Sequence, residues 1–170
     1  IKFSIPLVTG EKDIVIHKYF EQVCRERGSR FYSTDQALSI KRTQNDFYGH
    51  KFEVGGLVKG SFKINLLGKH QLQNAATALL TAQVLRERGV KIDVSALRRG
   101  LANAYWPGRI DIISRKPLII LDGAHNVAGM EQLEDFMFGV PHRKVLVLGV
   151  RKDKEHQKML SLIVPLFALA

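Results

Sequence analysis

Short apolar runs alternate with amphipathic helical segments along this chain, and the alternation strongly limits the folds that it can adopt. The run at residues 5–8 is followed by a helical pattern that starts after Asp13 and ends at Gly28, and Phe31–Ser33 is the next run. Strand, helix, strand is the unit of a parallel sheet. The same order returns after residue 110, so the sequence predicts an α/β fold.

The middle of the chain combines a predicted hairpin with two predicted helices. Residues 47–54 and 57–66 have strand patterns that meet at a pair of adjacent glycines, which is typical of a hairpin. Apolar residues at helical spacing then predict a helix from Gln71 to Gly89, and Asp93 is a suitable cap for a second helix.

The adjacent proline and glycine at positions 107 and 108 predict a break in the chain. We therefore place a domain boundary there, with one domain over residues 1–105 and another over residues 106–170. We expect residues 106–109 to act as a hinge between these two domains. In this hinge Trp106 is expected to pack against apolar residues, and Arg109 is expected to face the cleft between the domains. The second domain is predicted to contain strands at 110–113, 118–121 and 144–149, and helices at 126–138 and from Asp153.

Charge and composition narrow the classes of function. The net charge is +10, but the basic residues occur in pairs at most, without the stripe and interleaved aromatics typical of nucleic-acid binding. The apolar runs are too short to cross a bilayer. The single cysteine, Cys24, cannot form an internal disulfide, which favours a cytoplasmic location. We therefore expect neither a nucleic acid nor a membrane as a partner.

Two polar segments follow predicted strands of the second domain, and ligands of open α/β sheets bind beyond the carboxyl ends of strands. The run 118–121 leads to Asp122, His125 and Asn126. The run 144–149 leads to charged residues at 151–154, which reach the same edge if the two strands are parallel. A carboxylate and an imidazole at such an edge can bind a ribose or a metal ion, or hold a substrate amine. Alternatively, Asp122 and Asn126 only cap the next helix.

The sequence contains no complete nucleotide-binding motif. Gly68 and Lys69 lack the earlier glycine and the following hydroxyl residue of a P-loop, and no Gly-x-Gly-x-x-Gly occurs. No two histidines stand three or four positions apart, and there is no cysteine cluster. A metal site built from histidine or cysteine therefore has little support.

Three segments, in this order, resemble motifs of the folylpolyglutamate synthase/dihydrofolate synthase family, a branch of the Mur ligase superfamily. They are Gly68-Lys69-His70-Gln71-Leu72-Gln73-Asn74-Ala75-Ala76, Trp106-Pro107-Gly108-Arg109 and Leu121-Asp122-Gly123-Ala124-His125-Asn126. Gly149 with Asp153 and Lys154 adds a fourth match. The resemblance implies the end of a Mur-ligase-type central ATPase domain, followed by part of a Rossmann-like carboxy-terminal domain that ligates glutamate.

The resemblance also implies an ATP-dependent ligation in three steps. MgATP phosphorylates the γ-carboxylate of a folate, or the carboxylate of dihydropteroate. The amine of L-glutamate then attacks the acyl phosphate, and phosphate leaves. By the same resemblance, Asn74 contacts the nucleotide from the central domain, Arg109 reaches its phosphates and Asp122 binds it from the other domain. His125 is expected to position the incoming glutamate.

Two departures from the family pattern bear on activity. Val127 stands where the family usually has proline, which should alter only the entry into the helix. The P-loop, the magnesium ligands and the lysine that the family carbamylates are expected upstream of Ile1. We therefore expect the chain to be a carboxy-terminal fragment that is inactive alone. Its second domain is expected to have an uncovered sheet edge, so we expect residues beyond about 110 either to be less stable than the preceding segment or to be held by a neighbouring copy. The parent enzyme is expected to be a monomer.

Two other interpretations remain open. One is a peptidoglycan-precursor ligase of the same superfamily, although those enzymes usually have asparagine where Gln71 stands and lack the Trp-Pro-Gly-Arg segment. The other is a non-catalytic module that binds nucleotides or nucleic acid, which the positive charge and the missing P-loop permit. The residues do not distinguish dihydrofolate synthase from folylpolyglutamate synthase activity.

Overall fold

The chain divides into two units. The computed structural model describes residues 1–141 and 143–167, so the last residues of the predicted second domain lie outside the described residues. The first unit contains Ile1–Asn65 and Gln71–Ala104, and the second contains Leu66–His70 and the chain from Tyr105 onward. Which functional domain each unit represents stays a prediction.

The described chain alternates helices and strands. Up to residue 104 its elements are β1 (Leu7–Thr9), α1 (Ile14–Glu26), β2 (Phe31–Ser33), α2 (Thr34–Ala37), β3 (Leu38–Asp46), β4 (Gly49–Gly56), β5 (Gly60–Ile64), α3 (His70–Glu87) and α4 (Val94–Ala102). They are followed by β6 (Asp111–Arg115), β7 (Leu118–Leu121), α5 (Val127–Phe138), α6 (His156–Ile163) and a 3-10 turn (Val164–Leu166). Among these helices, none combines the length and the apolar character that crossing a membrane would need.

The predicted strand–helix–strand unit forms at the start of the first unit. Strands β1 and β2 pair in parallel, and helix α1 connects them. The carboxylate of Asp13 caps the helix, because it accepts a hydrogen bond of 2.7 Å from the Val15 N–H. The chain leaves α1 through Gly28, whose φ of 58° is a backbone conformation that glycine adopts without strain.

A three-stranded antiparallel sheet, in the order β3-β4-β5, follows in the first unit. The predicted hairpin forms between β4 and β5, but its turn lies at residues 57–59, after the glycine pair. Phe47, predicted as a strand residue, lies in a turn between β3 and β4, where Asp46 accepts a hydrogen bond from the Tyr48 N–H. The sequence did not predict β3, because the apolar alternation of a half-buried strand stops after Ile40 and the last six residues of the strand are all polar.

Alternating side chains of the sheet form part of the core of the first unit. The rings of Phe52 and Phe62 stack with their centroids 6.0 Å apart, and both side chains are buried. Helix α4 packs against β5, where Arg98 donates a hydrogen bond to the Ser61 carbonyl. Helix α3 contributes buried apolar residues to the same unit, among them Leu79.

The second unit contains an antiparallel pair of strands and two packed helices. Strands β6 and β7 pair with Asp111 opposite Leu121. Helix α5 packs against α6, and Met130, Met159 and Ile163 are almost completely buried. Burial of these side chains supplies the hydrophobic core of this unit.

The predicted strand at residues 144–149 is absent from the structure, so this prediction was wrong. The segment follows an irregular path, and Val145 and Val147 are 83% and 94% exposed. A strand needs a neighbour for its ladder of hydrogen bonds, and within the described residues β7 pairs only with β6. The apolar sequence alone could not show that this partner is missing.

Candidate functional site

Two loops of the second unit are fastened to each other. We call residues 106–110 the arginine loop and residues 122–126 the aspartate loop. The Gly123 N–H donates a hydrogen bond of 2.7 Å to the Gly108 carbonyl. A side chain at Gly123 would meet the same carbonyl oxygen at 3.3 Å, so the two backbones approach closely. Two of the three motifs that carried the resemblance are therefore neighbours in space.

Asp122 joins the two loops through both oxygens of its carboxylate. Its Oδ2 accepts a hydrogen bond of 2.8 Å from the Ile110 N–H, and its Oδ1 accepts one of 2.8 Å from the Ala124 N–H. It does not cap helix α5. That role belongs to Asn126, whose side chain accepts a hydrogen bond of 2.7 Å from the Gly129 N–H. The capping alternative is therefore correct for Asn126 and wrong for Asp122.

Arg109 lies between two residues with left-handed backbone conformations. Gly108 has a φ of 68° and Ile110 a φ of 47°. The Arg109 guanidinium carbon lies 6.0 Å from the centroid of the Trp106 ring, within the range of a cation–π contact. Trp106 is 62% exposed, so the expectation that it packs against apolar residues was wrong. Its described contact is with the arginine instead.

His125 is exposed at the end of the aspartate loop, and one ring nitrogen fixes its orientation. Its Nδ1 lies 3.0 Å from the Gly123 carbonyl oxygen. Because a carbonyl only accepts, the proton of this hydrogen bond belongs to Nδ1. In the neutral ring, Nε2 is then the nitrogen that can accept a hydrogen bond from a ligand.

His70 belongs to the same group of residues, although the sequence analysis did not select it as a site residue. Burial lowers the pKa of His70 below the usual 6.5, and nearby Arg109 lowers it further. The charge of Asp122 and a hydrogen bond with Gln132 act in the opposite direction. The signal was present in the sequence, since His70 stands in the first motif.

The segment before His70, which belongs to the second unit, contacts α5 and the arginine loop. Lys69 Nζ lies 2.6 Å from Asp135 Oδ1, and Leu67 is buried. Gly68 has a φ of 95°, and a side chain there would meet the His70 ring at 2.6 Å and Ile110 at 3.0 Å. A residue other than glycine would therefore displace His70 or the arginine loop.

Asn74, the fourth predicted site residue, lies in the first unit, beside an open groove of about 900 Å³. Its amide nitrogen donates a hydrogen bond of 3.0 Å to Gln71 Oε1. Gln73, on the same helix, donates a hydrogen bond of 3.2 Å from its amide nitrogen to the carbonyl of Gly10, the residue that directly follows β1. The groove is lined by Gly10, Glu11, Lys12, Gln73, Asn74, Thr77, Ala78, Thr81, Ala82 and Leu85.

The charged residues at 151–154 pair locally instead of extending from a strand end. Arg151 Nε lies 2.9 Å from Asp153 Oδ1, and both side chains are exposed. The strand that was expected to deliver them to the edge of the sheet does not form. Within residues 1–141 and 143–167, no group of three or more His, Cys, Asp or Glu side chains could hold a metal ion.

Comparison with known proteins identifies relatives along nearly the whole chain, although no protein-family model matches it. The chain is 32% identical to the dihydrofolate synthase/folylpolyglutamate synthase of Bacillus subtilis, over 95% of its own length and 39% of that protein. The folylpolyglutamate synthase structure from Thermotoga maritima has a TM-score of 0.81 and 34% identity, and covers 96% of this chain and 39% of that one.

A third relative is the structure of a folylpolyglutamate synthase complex with AMPPCP and folate. It has a TM-score of 0.87 and 27% identity, with coverage of 100% of this chain and 42% of that one. The chain thus spans about two fifths of the length of these relatives. Together, the sequence similarity and the shared fold confirm the resemblance, and the chain belongs to the folylpolyglutamate synthase/dihydrofolate synthase family of the Mur ligase superfamily.

Proposed function

We propose that the chain is part of an enzyme that uses ATP to join L-glutamate to a folate or to dihydropteroate through an acyl phosphate. The proposal depends on one observation: hydrogen bonds join the loop that carries Arg109 to the loop that carries Asp122. The relatives support it, since proteins named for this activity match nearly the whole chain. A cytoplasmic location is part of the same proposal.

Arg109 is proposed to bind the phosphates of the nucleotide. A guanidinium group is planar, permanently charged and able to make two parallel hydrogen bonds to phosphate oxygens. The backbone on both sides of Arg109 is fixed by hydrogen bonds to Gly123 and Asp122. Because the backbone is already ordered, the loop loses less conformational entropy when the ligand binds. Less of the binding energy is then spent on ordering the loop.

Asp122 is proposed to bind the same nucleotide through acceptor sites that its backbone contacts leave open. Each carboxylate oxygen already accepts one amide hydrogen bond. An ionised carboxylate offers about four acceptor sites, so capacity remains for the hydroxyl groups of a ribose. The two amide bonds meanwhile hold the side chain in one orientation.

Asn74 is proposed to contact the nucleotide from the first unit. The groove beside it, of about 900 Å³, is large enough for a nucleoside. The Asn74 amide carries donors and an acceptor, which suits the edge of a base. Magnesium is expected to accompany ATP, but the described residues supply no cluster for it, so none is assigned as its ligand.

His125 is proposed to position the incoming glutamate. Its ring is exposed and is oriented by the Nδ1 contact with Gly123, which leaves Nε2 as the nitrogen for a substrate. A neutral imidazole can accept a hydrogen bond from the amine, and a charged one can bind a carboxylate. The remaining motif residue, Asn126, caps the start of helix α5.

Kinetics of two substitutions in the full-length protein test the proposal. We expect Arg109→Ala to lower kcat/KM for glutamate ligation by about 100-fold, the effect typical of removing a group that stabilises transition-state charge. We expect a similar loss for Asp122→Ala, because that variant loses the ribose contact and the hydrogen bond that holds the arginine loop. Glu131→Ala is the matched control, because it removes a charge from an exposed position of α5 in the same unit. Thermal unfolding of each variant shows whether the fold is intact.

The outcome that opposes the proposal is equally specific. If both variants keep wild-type kinetics, Arg109 is an ordinary surface charge and Asp122 has at most a structural role, which a lower unfolding temperature of Asp122→Ala would reveal. A lower ligation rate in Glu131→Ala as well would indicate a general effect of charge rather than a site.

A further inference from the structure

The arginine loop has a backbone conformation that its own sequence does not favour. Ile110 has a φ of 47°, and a β-branched residue rarely adopts this left-handed region because its side chain crowds the backbone. Its side chain is only 4% exposed, so the strained residue is inserted into the second unit. The surrounding structure must therefore hold this conformation.

One set of contacts that holds the arginine loop comes from the aspartate loop, through the hydrogen bonds of Gly123 and Asp122. A second set comes from Asp111, the residue after Ile110. Its Oδ2 accepts a hydrogen bond of 3.2 Å from the Gly108 N–H and another of 3.2 Å from the Tyr105 hydroxyl. This single oxygen therefore joins both ends of the segment that carries Arg109.

Asp111 is itself held at a fixed place beside the candidate site. It is the first residue of β6 and pairs with Leu121, the residue that directly precedes Asp122. The hydrogen bond to Asp111, together with the negative charge of that carboxylate, raises the pKa of Tyr105 above its usual value. A tyrosine is protonated at neutral pH even at its usual value, so its hydroxyl is the donor of this hydrogen bond.

We propose that Asp111 is a positioning residue for nucleotide binding, which acts through Arg109 by accepting hydrogen bonds from Gly108 and Tyr105. The proposal rests on the proposed role of Arg109 toward the phosphates. Asp111 does not touch the nucleotide in this account. Its carboxylate holds the Gly108 N–H before Arg109, while Asp122 holds the Ile110 N–H after it, and together they fix the direction in which the guanidinium extends.

A double-mutant cycle tests this inference, with calorimetric binding of a non-hydrolysable ATP analogue to the full-length protein as the readout. We expect Asp111→Ala to weaken binding about tenfold, because the loop that carries Arg109 must then be ordered when the nucleotide binds. Asp111→Asn should recover most of the affinity, because its amide oxygen can still accept from the Gly108 N–H. In an Arg109→Ala background, Asp111→Ala should have no further effect.

The design separates a failure of this inference from a failure of the proposed function. If Arg109→Ala alone leaves the affinity unchanged, the proposed role of Arg109 is wrong, and with it the basis of the inference. If Arg109→Ala weakens binding and Asp111→Ala adds its full effect in that background, Asp111 does not act through Arg109. Unchanged affinity in a folded Asp111→Ala protein, compared with the Glu131→Ala control, would also overturn the inference.

Discussion

At the scale of single residues, backbone amides determine the geometry of the candidate site as much as side chains do. Both oxygens of Asp122 bind amides, one in each loop, so this residue shapes the arginine loop as well as offering a ligand contact. A substitution at Asp122 therefore changes two things at once. Arg109→Ala is the cleaner test of phosphate binding, because the Arg109 side chain is not part of the described hydrogen-bond network of the loops.

His70 gives a prediction about pH dependence. Burial, assisted by Arg109, lowers its pKa below the usual 6.5 in the folded protein. The unfolded chain therefore binds a proton at His70 at a higher pH than the folded chain does. Above the unfolded value this residue has no effect, and as the pH falls from 6.5 through the lowered folded value it destabilises the fold.

The measurement compares the free energy of unfolding of the wild type and His70→Gln between pH 5 and pH 8. We expect the wild type to lose stability relative to the variant as the pH falls below about 6.5, in the direction that linkage requires. NMR titration of the His70 ring should give a pKa below 6.5. A ring that titrates above 6.5 would mean that Asp122 and Gln132 outweigh burial.

At the scale of elements, helix α5 begins where the aspartate loop ends, so its cap belongs to the candidate site. The Asn126 side chain accepts from the Gly129 N–H at 2.7 Å, which satisfies one amide of the first turn. Asn126 therefore stabilises the start of α5, although the other residues of its motif are candidates for ligand binding.

Replacing this cap should destabilise the protein in a graded way. We expect Asn126→Ala to cost about 1 kcal/mol in the free energy of unfolding, while Asn126→Asp, which keeps the accepting oxygen, stays close to the wild type. Urea denaturation monitored by circular dichroism provides the values. Equal stability of all three proteins would show that the loop holds the start of α5 without the cap.

Local signals in the sequence predicted several elements and failed where long-range pairing decides. Helix α1 and its Asp13 cap are confirmed, because capping and apolar spacing act within a few residues. Residues 144–149 have the composition of a strand, but a strand also needs a neighbour, and periodicity carries no information about it. Strand β3 shows the converse, a polar segment that pairs because β4 lies beside it.

The candidate site shows the same limit. Arg109 and Asp122 were predicted from short motifs, and the structure brings their loops together. Asp111 was not predicted, because its importance depends on the left-handed backbone of Ile110 and on Tyr105. Backbone strain of this kind cannot be read from an isoleucine in a sequence, since the residue normally avoids it.

At the scale of the whole molecule, the described part of the second unit leaves large apolar side chains uncovered. Phe138, Val145 and Val147 are each more than 80% exposed. Exposed apolar surface on this scale usually contacts another element or another chain. This exposure agrees with the expectation that the chain self-associates through this unit, which stays a prediction.

Hydrogen exchange tests this expectation at two protein concentrations. We expect amides of β7 to exchange faster than those of β4 in the dilute chain, since β4 pairs on both sides and contains the buried Phe52. Protection of β7 that grows with concentration would support self-association. Equal protection of both strands in a monomer would contradict it.

The central claim is that this chain belongs to a working glutamate ligase, and product analysis tests it most directly. The full-length protein is incubated with MgATP, isotope-labelled L-glutamate and either dihydropteroate or a reduced folate, and mass spectrometry follows the label. The 170-residue chain alone is the control, and we expect no product from it because its sequence contains no P-loop. The account predicts a folate heavier by one labelled glutamyl residue, with ADP and phosphate formed in equal amounts. ATP cleaved without any labelled product, or no labelled product with either acceptor, would contradict it.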